Sequence, residues 1–178
     1  MKGIVFTEFS EMVESEFSPE ILDEIITECD LASQGAYTSV GTYDYTEMIQ
    51  LVSKLSEKTS IPVDDLLFAF GTYLAKRFAA LFPSFFDEAK NVFSFMKSLD
   101  NHIHVEVNKL YPDAELPKFK FDDSDPTCLI MEYISKRGFA MFAFGLLTGV
   151  INYYNEAIEV EIEQIDGYKH TKFFLKQK

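Results

Sequence analysis

The segment Tyr133-Ile134-Ser135-Lys136-Arg137 places two hydroxyl groups and a guanidinium at alternate positions of the chain. Alternate side chains share one face of an extended segment, so Tyr133, Ser135 and Arg137 would point in the same direction. A guanidinium binds a carboxylate through two charge-assisted hydrogen bonds, and the hydroxyls can donate to a second carboxylate oxygen. The segment is therefore typical of a site for a ligand with paired carboxylates. The alternative is an ordinary strand end with a surface arginine.

On both sides of this segment the sequence predicts two hairpins and a helix between them. Residues 118–121 alternate between polar and apolar side chains, residues 127–133 are strand-like, and turn-forming residues separate the two runs. A helix is predicted over about residues 137–155. Residues 158–163 alternate again, and Asp166-Gly167 is typical of the tight turn of a second hairpin.

The first two thirds of the chain have the periodicity of α-helices. Apolar residues recur at spacings of three and four over residues 2–17, and Ser18-Pro19 is a typical helix start. Further helices are predicted over about residues 45–59, 63–81 and 91–111.

These elements predict one α+β domain over residues 1–178. Its helical N-terminal part, about residues 1–62, packs on a part of about residues 63–178 that contains an antiparallel sheet and helices. The chain is long enough for a full core. Hydrophobic residues make up 47% of it and phenylalanine alone occurs 18 times, which indicates either a large apolar cavity or a phenylalanine-rich core.

The charge and the motifs exclude several classes of function. A net charge of −13 repels phosphate groups, so neither nucleic acid nor an anionic membrane is an expected partner. The longest weakly polar run, residues 138–151, is too short to span a membrane, and the acidic N-terminal residues are unlike a secretory signal. Two cysteines fit a reduced cytoplasmic protein. No phosphate loop, nucleophile elbow or zinc-protease motif is present, so we do not expect an enzyme.

Two histidines on the predicted helix 91–111 are candidates for a metal ligand. His102 and His104 flank Ile103, and at about 100° per residue they lie on opposite sides of it. Each shares its side of the helix with apolar residues, so periodicity does not distinguish between them. A histidine at the edge of an apolar face is more often a packing or surface residue than a ligand.

From its first residue to its last, the chain resembles the haem nitric oxide/oxygen-binding (H-NOX) domains, in particular the stand-alone bacterial type. It begins with Met1-Lys2-Gly3, as these domains commonly do, and Tyr133-x-Ser135-x-Arg137 matches their haem-propionate motif. The segment from His104 to Lys109 matches the one that supplies the iron ligand, 29 residues before the tyrosine. The resemblance therefore favours His104 over His102.

The resemblance implies haem b, bound non-covalently between the helical part and the sheet-bearing part. A neutral imidazole of His104 would ligate the iron, and Tyr133, Ser135 and Arg137 would hold the propionates. Pro117 falls where family members carry a proline that packs against the haem and bends it, and Val5 matches a small apolar contact.

The resemblance also implies which gas would bind. Oxygen-binding members hydrogen-bond the oxygen with a tyrosine that an asparagine and a tryptophan support. Phe142, Leu74 and Phe9 stand at these three positions, so the polar groups are missing. Bound oxygen is polarised and gains from a donor, whereas nitric oxide on ferrous iron depends on one much less. The expected gas ligands are therefore nitric oxide and carbon monoxide.

The function implied is that of a nitric oxide sensor. In such family members, nitric oxide binding breaks the bond between iron and histidine, the two parts shift, and a separate histidine kinase or cyclic-di-GMP enzyme is regulated. One alternative is a haem-free module that binds a lipid-like carboxylic acid in a phenylalanine-lined cavity. Another is a haem enzyme such as a peroxidase, although no distal histidine or arginine is evident for it.

Overall fold

The fold was analysed in a computed structural model that describes residues 1–178, with the exception of the side chain of Leu110. Among the residues described, no helix is both long and apolar enough to cross a membrane. Along the chain, the helices and strands are α1 (Gly3–Glu16), α2 (Pro19–Glu28), α3 (Tyr45–Thr59), α4 (Val63–Leu81), α5 (Pro83–Asp87), α6 (Val92–Ser98), a π-helical segment (Leu99–Ile103), α7 (His104–Leu110), β1 (Lys118–Asp125), β2 (Cys128–Ile134), α8 (Ala140–Tyr154), β3 (Ile158–Asp166) and β4 (His170–Gln177).

Capping residues determine where the second and third helices begin. The hydroxyl of Ser18 accepts a hydrogen bond of 3.2 Å from a backbone N–H in the first turn of α2. The carboxylate of Asp44 does the same for α3, at 2.8 Å. The short helix α5 was not predicted. Pro83 ends α4 but also occupies the first position of α5, where its missing N–H costs no hydrogen bond.

The prediction of an uninterrupted α-helix over residues 91–111 is wrong. Residues Leu99–Ile103 are π-helical, and the backbone N–H of His104 donates to the carbonyl of Leu99, five residues earlier. The backbone hydrogen bond of a π-helix spans five residues, whereas that of an α-helix spans four, so a π-helical turn contains one extra residue. Relative to an uninterrupted α-helix of the same sequence, the residues of α7 are therefore rotated about the helix axis by about 100°.

The sheet has the strand order β1-β2-β4-β3, with every neighbouring pair antiparallel. Both predicted hairpins are confirmed, although the first turn is tighter than expected because pairing continues to Asp125 and Cys128. One face of the sheet packs against α8 and is buried at alternate residues of the two central strands: Leu129, Met131, Tyr133, Phe173 and Leu175. The predicted α+β architecture is thus confirmed.

Helices α4 and α8 are in direct backbone contact, which only glycine permits. A Cβ atom on Gly145 would lie 2.1 Å from the carbonyl oxygen of Phe68, and one on Gly71 would lie 2.2 Å from that of Phe142. The two helices therefore form a closely packed pair. Leu74 of α4 and Phe142 of α8 both border the cavity described below.

Candidate functional site

A cavity of about 660 Å³ lies between α1 and α4 on one side and α6, α7 and the sheet on the other. Its volume is within the usual range of small-molecule and cofactor sites. The aromatic rings that line it include Phe78, Phe82, Phe85, Phe86, Phe95, Phe119, Tyr133 and Phe142, which come from six helices and strands and from the turn after α4. The high phenylalanine content therefore serves a cavity as well as a core.

Of the nine site residues expected from the sequence, eight border this cavity. The ones that do are Val5, Leu74, His104, Pro117, Tyr133, Ser135, Arg137 and Phe142. Phe9 is fully buried behind the wall instead: its ring contacts Phe70, 5.2 Å away between centroids, and Phe70 in turn contacts Phe142. Phe9 therefore influences the cavity only through other rings.

Asp100 fixes the orientation of the His104 ring. Nδ1 of His104 lies 2.9 Å from one carboxylate oxygen of Asp100, and the other oxygen accepts the backbone N–H of Phe119, also at 2.9 Å. An ionised carboxylate can only accept hydrogen bonds, so Nδ1 carries the proton and Nε2 keeps its lone pair. Nε2 is the ring atom left to coordinate a metal. Asp100 lies four residues before His104 and was not predicted as a site residue.

Burial keeps the His104 imidazole neutral. Loss of hydration lowers the pKa of His104 below its ordinary value of 6.5, although the neighbouring Asp100 carboxylate acts in the opposite direction. The side chain is 16% exposed. His102, by contrast, is 44% exposed and its Nε2 lies 3.0 Å from a carboxylate oxygen of Glu88. His102 is also missing from the cavity wall, so only His104 of the two could hold a ligand there.

Tyr133, Ser135 and Arg137 all border the cavity on its open side, which we call the mouth and where the lining residues Asp113 and Glu115 are exposed, but not for the predicted reason. Strand β2 ends at Ile134, and the chain then turns, with Gly138 at a φ of +72°. Only Tyr133 is therefore placed by strand alternation, while the turn brings Ser135 and Arg137 to the cavity. Burial raises the pKa of Tyr133, so its phenol remains a neutral O–H donor at pH 7.

Arg137 already has partners at the mouth that the sequence analysis did not identify. Its guanidinium lies over the ring of Tyr45, 5.6 Å from the centroid, and donates to a carboxylate oxygen of Glu115 at 3.3 Å. The side chain of Arg137 is only 12% exposed. A largely desolvated guanidinium beside a cavity is well suited to bind an anionic group of a ligand.

The wall formed by α1, α4 and α8 offers no hydrogen-bond donor among the side chains described there. These are Ile4, Val5, Leu74, Ala75, Phe78, Phe142, Ala143, Leu146, Leu147 and Val150, all hydrocarbon. Tyr73, next to Leu74 in sequence, does not border the cavity. Burial and then the Glu8 carboxylate raise the pKa of Tyr73 above its ordinary value. A small ligand at this wall would meet only apolar groups.

Comparison with known proteins identifies the family. A family model described as Haem-NO-binding matches residues 2–162. The chain belongs to the haem-NO-binding, or H-NOX, family. H-NOX domains are haem-based gas sensors and in general not enzymes, so a haem cofactor is implied for this chain. The resemblance described from the sequence is thereby confirmed.

Solved bacterial H-NOX structures match the chain over its whole length. The unliganded Fe(II) H-NOX protein from K. algicida is 38% identical, with 100% of this chain and 97% of that chain covered and a TM-score of 0.95. The H-NOX from Shewanella woodyi, solved with bound IWP-051 in the Fe(II)CO state, is 41% identical, with 100% and 95% covered and a TM-score of 0.86. The S. oneidensis H-NOX in the Fe(II)NO state, 24% identical with 100% and 99% covered, has the same fold at a TM-score of 0.92.

Proposed function

We propose that this H-NOX chain binds haem b in the cavity, with Nε2 of His104 as the iron ligand. The observation that carries the proposal is the His104 ring, which Asp100 orients on the wall of an apolar cavity of about 660 Å³. Tyr133, Ser135 and Arg137 would donate to the propionates at the mouth. Pro117 and Val5 would contact the flat faces of the group.

The gas ligand we propose is nitric oxide, with carbon monoxide as a second ligand. Ferrous haem supplies a site that binds diatomic gases. The hydrocarbon wall that includes Phe142 and Leu74 gives no donor to stabilise a polarised ligand such as oxygen. Phe9 supports this wall from behind through Phe70. The family relatives solved with nitric oxide and carbon monoxide support the choice of gases.

The output we propose is regulation of a separate signalling protein, a histidine kinase or a cyclic-di-GMP enzyme, without catalysis by this chain. Release of His104 when nitric oxide binds would free α7 to move relative to α1, and the partner would sense this shift. The test is to mix the chain with candidate kinases and cyclic-di-GMP enzymes and to measure their activity with and without nitric oxide. Equal activity in the two states would contradict this part of the proposal.

The main alternative is a haem-free module that binds a lipid-like acid. His104 distinguishes this alternative from haem binding. A lipid-like acid needs the cavity and Arg137 but makes no use of an imidazole whose Nε2 is left free by Asp100. The absorption spectra of the ferrous protein alone, in air and with nitric oxide are the decisive experiment. We expect a haem spectrum that changes with nitric oxide but not with oxygen.

Variants at the two histidines provide the matched control. His104→Ala should lose haem or retain it only with added imidazole, whereas His102→Ala should retain haem like the wild type. If His102→Ala loses haem and His104→Ala does not, the assignment of the iron ligand is wrong. A colourless wild-type protein after reconstitution with haem would refute the proposal as a whole.

A further inference from the structure

The mouth of the cavity contains a second cation, Lys2, for which no role has been assigned so far. Lys2 pairs with Thr42 in an isolated antiparallel bridge, and its side chain is 10% exposed. The ammonium donates to the hydroxyl of Thr42 at 2.6 Å and lies 4.6 Å from the centroid of the Tyr111 ring. It is also 3.4 Å from a carboxylate oxygen of Asp113 and 3.2 Å from the carbonyl oxygen of Val40.

Lys2 and Arg137 have similar surroundings, and each forms an ion pair with a different carboxylate. Each borders the cavity, each is nearly buried, and each contacts a carboxylate of the short loop between α7 and β1. Asp113 contacts Lys2 at 3.4 Å, and Glu115, two residues further, contacts Arg137 at 3.3 Å. Two carboxylates of the chain thus face two cations at the place where the paired carboxylates of a ligand are expected.

Both loop carboxylates are ionised at neutral pH. Hydrogen bonding from Thr42, followed by the nearby Lys2, lowers the pKa of Asp113 below its ordinary value. The exposed Lys136 and then Arg137 do the same for the pKa of Glu115. A dianionic ligand that enters the mouth therefore meets two negative charges and must either displace them from the cations or be repelled by them.

We propose that Lys2 is a second propionate-binding residue of the cavity, and that Asp113 and Glu115 compete with the propionates for Lys2 and Arg137. This inference rests on haem as the ligand. The ammonium of Lys2 is a point charge with three donors on a flexible stem, so it can exchange one partner while keeping the others. Its contact with Asp113 is the longest of its three polar contacts, and Asp113 itself is 59% exposed. Exchanging Asp113 for a propionate therefore disturbs the site least.

A purely structural ion pair would behave differently. If Lys2 and Asp113 only held the N-terminal segment to the loop, removing either partner would loosen the mouth and speed haem loss. If they compete with a propionate, the two substitutions act in opposite directions. Lys2→Met removes a binding partner of the propionate, whereas Asp113→Asn removes its competitor. The sign of the Asp113→Asn effect distinguishes the two explanations.

The experiment measures the rate at which ferric haem transfers from the full chain to an excess of apomyoglobin. Lys2→Met should release haem about tenfold faster, which is the loss expected for one charge-assisted hydrogen bond. Lys2→Arg should stay near the wild-type rate, and Asp113→Asn should release haem about threefold more slowly, a smaller effect because Asp113 is 59% exposed. Lys136→Met is the matched control, because Lys136 is an exposed cation that contacts Glu115 but does not border the cavity.

The same variants are then loaded with haem dimethyl ester, whose propionates are uncharged. The ester should bind through the iron, and Lys2→Met should no longer differ from the wild type. Faster haem loss in Asp113→Asn, or an undiminished Lys2→Met effect with the ester, would overturn the inference. Either result leaves the haem spectrum of the wild type intact, so it is distinguishable from a failure of the haem proposal. Thermal unfolding of the haem-free variants shows whether any change in rate comes from misfolding.

Discussion

Asp100→Asn tests whether the chain prepares His104 for coordination. The two side chains have nearly the same shape, but the asparagine has one acceptor atom where the carboxylate has two. Asp100 now accepts from Nδ1 of His104 and from the backbone of Phe119, both at 2.9 Å. In the variant one of these donors must face an NH2 group. If that donor is Nδ1, the ring is driven toward the tautomer with its proton on Nε2, which cannot coordinate.

The expected loss follows from the geometry. A hydrogen bond to a charged group contributes about 1.5–3 kcal/mol, and such partners of metal-bound histidines commonly change metal affinity by about 10–100-fold. The Asp100 side chain is 33% exposed, so solvent weakens the interaction and the lower end applies. We expect haem to dissociate from Asp100→Asn about tenfold faster than from the wild type.

The assay is haem transfer to apomyoglobin, and Glu88→Gln is its control. Glu88 is the carboxylate partner of His102 at 3.0 Å, so this variant removes a similar contact from the histidine that does not border the cavity. Glu88→Gln should release haem at the wild-type rate. Equal rates for Asp100→Asn and the wild type, or equal acceleration in both variants, would refute the proposed role of Asp100.

Three further predictions concern the mouth, the apolar wall and the protonation of the ligand. Arg137→Ala should release haem about tenfold faster in the transfer assay, while Lys136→Ala should not; equal rates for all three proteins would make Arg137 a surface residue. Phe142→Tyr should raise oxygen affinity by only about two- to tenfold, measured by oxygen titration of the ferrous protein, because Leu74 leaves the new hydroxyl unsupported; a stable oxygen complex of the wild type in air would contradict the selectivity argument. Haem retention should be constant from about pH 8 to pH 6.5 and fall at lower pH, since burial holds the pKa of His104 below 6.5 and only its neutral form coordinates; loss of haem that begins above pH 6.5 would contradict the lowered pKa.

Local signals in the sequence predicted the elements well. Ser18 and Asp44 start helices because a cap acts on the N–H groups two or three residues away. The hairpin turn at Asp166-Gly167 is equally local, with Gly167 at a φ of +52°. Such features depend on a few neighbouring residues, which is why the α+β architecture could be read from the sequence.

The parts that could not be predicted depend on residues far apart in the chain. Asp100 orients His104 partly through the backbone of Phe119, and Lys2 meets Asp113 across more than a hundred residues. No spacing rule encodes the contacts with Phe119 and Asp113, whereas Asp100 and His104 are four residues apart and could have been recognised as a pair from the helical spacing. For Phe9 the resemblance to the family was misleading in detail. It suggested that the ring borders the gas ligand, whereas the ring packs behind Phe70 and does not border the cavity.

The π-helical segment Leu99–Ile103 determines which way the end of this helix faces. A π turn arises when one residue is inserted into an α-helix, and removing one residue would restore α-helical hydrogen bonds throughout. An uninterrupted α-helix of the present length would turn the residues after the insertion by about 100°, so it could satisfy the core contacts of Val92 and Phe95 or the cavity position of His104, but not both. The extra residue therefore allows one continuous helix to pack into the core with its first turns and to present His104 to the cavity with its last.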